Sequence, residues 1–110
     1  MLLTSFAYII YGNMELAQLT IRDLQKLIRS LIYSISIVAT GENGSTKKDL
    51  LSIRNELRSF LKELKKGKVG YEDVAGEFGF ILLSLSIIKG ETHNDRTIEM
   101  ISKIESMLYS

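Results

Sequence analysis

The chain has 110 residues, 45% of them hydrophobic, a net charge of +1, and neither proline nor cysteine. That length supports one domain spanning 1–110 with a single core, and the hydrophobic content excludes a disordered chain. The missing cysteines exclude a disulfide framework, a thiolate metal site and a Cys nucleophile, while the missing prolines leave long helices uninterrupted.

Met1–Tyr11 lacks a basic n-region and an obvious cleavage site, so no signal peptide is expected. The longest apolar run, Phe78–Ile88, falls short of the roughly 20 residues that span a bilayer. A cytoplasmic protein without a transmembrane segment is the expectation. Charge is unevenly placed along the chain. Residues 47–68 hold eight cations against three anions, and residues 69–110 hold three cations against seven anions. The basic stretch could face the acidic third, within the fold or across an oligomer contact, or it could face an external polyanion.

In chain order, Leu2, Leu3, Phe6, Ile9 and Ile10 fall on one helical face before Gly12-Asn13 breaks the pattern. A helix this short needs a surface to dock on, the body of the domain by default. Thr20-x-x-Asp23 is a relative of the capping box and opens a helix to about Ala39. Its stripe is Leu24, Leu27, Ile28, Leu31, Ile32, Ile35 and Val38, and its opposite face carries Arg22, Lys26, Arg29 and Tyr33. Three cations ending in an aromatic fit a surface that contacts nucleic-acid backbone and base; an ordinary solvated face fits as well.

A loop at residues 40–45 precedes Thr46-x-x-Asp49, which repeats the capping pattern. The next helix, to Lys66, buries Leu50, Ile53, Leu57, Phe60, Leu61 and Leu64. One flank carries Lys47, Arg54, Arg58, Lys62 and Lys65; the other carries Asp49, Glu56 and Glu63. Gly67 supplies the C′ residue.

Tyr71–Lys89 is apolar on two sides. Val74, Phe78, Ile81, Leu82, Leu85 and Ile88 form one stripe, and Phe80, Leu83 and Ile87 form a second, expected to contact another protein chain or the N-terminal helix. Gly76 and Gly79 inside it suggest close approach of another backbone. Asn94 or Asp95 can cap a last helix with Ile98, Ile101, Ile104 and Leu108 inward. SISIVATGE at Ser34–Glu42 resembles SLSIIKGE at Ser84–Glu91, and an offset of about fifty also pairs Asp23 with Asp73, which would make each half a helical hairpin. Both segments alternate Ser with aliphatic residues as a strand does, but the flanking helical period favours helix.

The predicted fold is all-α: a small bundle of four main helices plus a short apolar N-terminal helix. Catalytic chemistry has little to stand on. His93 is the lone histidine, in a polar turn beside Glu91 and Asp95, and no phosphate loop, nucleophile elbow or zinc pattern occurs. No catalytic, metal or cofactor-binding residue is predicted, and the chain is expected not to be an enzyme. The expected partner is nucleic-acid backbone, contacted without sequence preference through Lys47, Arg54, Arg58, Lys62 and Lys65, with Arg22, Lys26 and Arg29 as a second row. In size and architecture the chain resembles the small all-helical subunits of CRISPR effector complexes, which implies an accessory role in an RNA- or DNA-containing assembly. The alternative is a protein-interaction or self-assembly module with no nucleic-acid role, joined to itself or other subunits through Phe80, Leu83 and Ile87.

Overall fold

The computed structural model describes residues 20–109, 87% of them helical. Four helices follow one another: α1 (Ile21–Thr40), α2 (Gly44–Lys65), α3 (Tyr71–Glu91) and α4 (Asp95–Tyr109). The apolar helix expected at Met1–Tyr11 lies outside the described residues, as does Met14–Leu19. No strand occurs among the described residues. In the Ser-alternating end of α1, the Ser36 hydroxyl donates to the Ile32 carbonyl one turn back, at 2.7 Å. That hydroxyl is thereby satisfied within the helix.

The connections are short, so each helix folds back on its predecessor. Sequence neighbours pack together and α1 also packs on α4, which closes a ring of four with α1–α2 as its most extensive interface. The core draws Leu24, Ile28, Leu31 and Ile35 from α1 and Leu50, Leu57 and Leu61 from α2. Opposite them lie Val74, Phe78, Ile81 and Leu85 from α3 and Ile101, Ile104 and Leu108 from α4. These are the predicted stripes, except that Leu27, Ile32 and Phe60 lie at their edges and are only half-buried. Ile98 is only half-buried, and Thr97 takes the inward position beside it.

Helix ends explain the boundaries. Thr20 and Asp23 form a reciprocal box: Asp23 N–H donates to Thr20 Oγ1 at 3.1 Å, and Thr20 N–H donates to Asp23 Oδ2 at 3.3 Å. Asp73 plays the matching part at the start of α3, accepting from Gly70 N–H at 2.9 Å. Asp23 and Asp73 therefore hold equivalent places at the starts of the successive helix pairs α1–α2 and α3–α4. Gly67, at φ 73, ends α2 as expected. The start of α2 differs from the sequence expectation. Gly44, at φ 58, turns the chain directly into the helix and Lys47 N–H already bonds the Asn43 carbonyl, which leaves Thr46 nothing to cap. Gly76 also departs from expectation: a Cβ there would meet open space, so no backbone approaches it among the described residues.

The loop after α1 and the loop after α3 are tied together at one end of the bundle. Glu42 accepts hydrogen bonds from the hydroxyls of Thr92, at 3.0 Å, and Thr97. Asn94 Nδ2 donates to the Gly41 carbonyl at 3.1 Å, while its Oδ1 accepts from the Arg96 and Thr97 N–H groups and caps α4. Thr92 and Thr97 are buried, so their hydroxyls depend on this carboxylate. Glu42→Ala is expected to destabilise the protein by about 1–3 kcal/mol, read as a lower urea midpoint. An unchanged midpoint would show that the two loops are not held by this residue.

Candidate functional site

The rotation of α2 about its own axis decides where its charges go. Leu50, Ile53, Leu57, Leu61 and Leu64 are buried, which turns the two charged flanks to opposite sides. Asp49, Ser52 and Ile53 border a groove with Ser84, Ile87 and Ile88 of α3, so the anionic flank faces α3. The cationic flank therefore borders α1. On α1, Ser34 and Ile37 line a groove with Met100, Ile104 and Met107 of α4. The flank of α1 on the other side of its buried stripe borders α2. Arg22, Lys26, Arg29 and Tyr33 lie opposite that stripe, so they and the α2 cations share the outer surface of the α1–α2 hairpin.

The two rows also stand level. The connection at residues 41–43 joins antiparallel helices, so residues whose numbers sum to about 84 lie side by side. Arg22 is then level with Lys62, Lys26 with Arg58, and Arg29 with Arg54. Successive levels stand about 4.5–6 Å apart, the rise of three or four helical residues. Arg22, Lys26, Arg29, Lys47, Arg58, Lys62 and Lys65 are exposed; Arg54 is half-buried and donates from Nε and Nη2 to Asn55 Oδ1.

None of these cations forms a salt bridge with a described residue. Among the described residues the ion pairs are Lys68–Glu63, Lys89–Glu105 and Lys103–Glu99. The expectation that the basic flank meets the acidic third inside the fold is thus corrected: α2 and α4 do not pack on each other, and the side of α2 that meets α3 is its anionic one. Asp23, near Arg22 and Lys26, is committed to the helix cap. Hydrogen bonds from the side chain and backbone of Thr20 hold its pKa below the ordinary value, with a smaller contribution from the two cations. Lys47 closes the first turn of α2, which has no acidic residue, although a helix start favours anions.

On α3, Phe80, Leu83 and Ile87 are 51%, 62% and 53% exposed, so the second stripe of this helix faces solvent among the described residues. His93 is exposed in the α3–α4 loop, and no three His, Asp or Glu side chains among the described residues group as a metal site would need. No described helix is long and apolar enough to cross a membrane.

A carboxyl pair between α2 and α3 was not anticipated from the sequence. Burial, then the charge of Glu56, then a hydrogen bond with Glu56 raise the Glu77 pKa from 4.5 to about 7. Glu77 Oε2 is buried without a partner among the described residues. The signal was available in outline: Glu77 is one of few polar residues on an apolar helix, and Glu56 belongs to the flank that meets it.

In the unfolded chain this carboxyl ionises near 4.5, whereas in the folded protein it keeps its proton to about 7. Its contribution to stability is therefore fully present below pH 4.5 and lost as pH rises through 7. Glu77→Gln should raise the thermal midpoint relative to wild type at pH 8 and remove part of the decline between pH 5 and 7, measured by calorimetry across about that range. Parallel pH profiles for the two proteins would contradict this assignment.

Compared with protein-family models, with curated proteins and with solved structures, the chain matches none.

Proposed function

We propose that the protein is a small, non-enzymatic helical accessory subunit of a nucleoprotein assembly, and that it holds nucleic-acid backbone on the outer surface of the α1–α2 hairpin. The observation that carries this is the set of cations on α1 and α2, exposed apart from the half-buried Arg54 and without a salt-bridge partner among the described residues. Concentrating like charge on one surface without counter-charges costs self-repulsion, and a polyanion that displaces its own counterions relieves it. Binding of this kind is sequence-independent. The exposed stripe of Phe80, Leu83 and Ile87 on α3 is the surface through which such a subunit would join other proteins or copies of itself. That stripe also supports the second reading, a protein-interaction or self-assembly module with no nucleic-acid role.

Replacing Arg54, Arg58 and Lys62 with glutamine should change stability by less than about 0.5 kcal/mol per site. Affinity for a generic nucleic-acid probe should fall whatever its sequence. The dependence of log affinity on log salt should become shallower by about 0.7–0.9 for each phosphate that is no longer neutralised. Fluorescence anisotropy over a salt series reads both. Wild-type protein that binds no probe at about 50 mM salt, where attraction is strong, would remove this function and leave the interaction module.

A further inference from the structure

The cationic surface contains one aromatic side chain that the charge pattern does not explain. Tyr33 is 70% exposed, the most exposed large side chain with apolar surface on α1, where Leu24, Ile28, Leu31 and Ile35 pack inward and Ile21 is 36% exposed. It stands one helical turn beyond Arg29 on the same face of α1, so the row runs cation, cation, cation, ring. On α2, Lys47 lies beyond the level of the ring, so positive charge continues past it. From Arg22 to Tyr33 the row is about 16 Å long and straight, because it follows a helix axis.

We infer that this row binds single-stranded rather than duplex nucleic acid, with the backbone laid along the α1–α2 hairpin and one base stacked on Tyr33. The inference rests on the proposed function and adds the strandedness of the ligand. A duplex offers phosphates to the cations, but its bases are stacked on one another and present no free face to a ring. A single strand offers both groups, and stacking accepts any base because every base has a π-face. A straight row also suits a strand that can be drawn out along it, whereas each backbone of a duplex winds away from a line. The cations supply attraction without sequence preference, and the ring supplies the preference for unpaired bases.

The test is anisotropy with a labelled single-stranded homopyrimidine of about 12 nucleotides and with a duplex of the same length. Wild-type protein should bind the single strand more tightly. Tyr33→Ala should weaken that binding by about fivefold to a hundredfold, leave duplex binding within about twofold, and leave the salt slope unchanged. Tyr33→Phe should restore the single-strand affinity, because the ring and not the hydroxyl is used. Helix content by circular dichroism controls for folding, and an exposed ring is dispensable for that. If Tyr33→Ala has no effect, or weakens both probes alike, while binding stays salt-dependent, the stacking inference is overturned and the proposed function stands. If wild-type protein binds neither probe at about 50 mM salt, both fall together.

Discussion

Burial of Leu50, Ile53, Leu57, Leu61 and Leu64 fixes the rotation of α2 about its axis, and the remaining surface features follow from that rotation. Each such side chain contributes about 1.5–3 kcal/mol when it leaves water, while an exposed ion pair contributes about 0–1 kcal/mol. The apolar stripe therefore decides the orientation and the charges go where it sends them. Because the stripe lies between the two charged flanks, the anionic flank is carried towards α3 and the cationic flank towards α1. One consequence is unfavourable: Glu56 is brought to Glu77, and the pair is accommodated by keeping a proton on Glu77 to about pH 7. The other is the set of cationic levels on the outside of the first hairpin.

The same end of the bundle that turns α1 into α2 also anchors the second hairpin. Glu42 sits in a three-residue connection and accepts from two buried threonines of the other hairpin. The first hairpin is thereby joined to the second by polar bonds at its tip as well as by apolar packing along its length. With both hairpins registered this way, the α1–α2 surface is presented as a fixed platform and the exposed stripe of α3 is set apart from it on a different helix. Two surfaces of different chemistry, one charged and one apolar, suit a subunit that holds one kind of partner on each.

Much of the fold was legible in the sequence because helical periodicity records burial directly. The stripes of α1, α2 and α3 are buried as their spacing indicates apart from the half-buried Leu27, Ile32 and Phe60, and Thr20-Asp23, Gly67 and Asn94 act at the helix ends as their chemistry suggests. The misses share a cause: each depends on how the chain turns or which element lies beside a residue, and spacing along one helix cannot show that. Thr46 looked like a cap until Gly44 turned the chain earlier. Gly76 looked like a close approach and faces open space. The two cationic rows could each be read from sequence, but their alignment across the hairpin needed the length of the connection and the identity of the neighbours. The Glu56–Glu77 pair was hidden for the same reason, since the two residues belong to different helices.

The claim on which the functional account turns is a location, the outer face of the α1–α2 hairpin. Titrating isotope-labelled protein with a short single-stranded oligonucleotide, and following backbone amides by nuclear magnetic resonance, locates the bound strand residue by residue. The account predicts that the largest shifts fall at Arg22 to Tyr33 and at Arg54 to Lys62, with Phe80 to Ile87 unmoved. Shifts centred on Phe80, Leu83 and Ile87, or none anywhere at low salt, would contradict it.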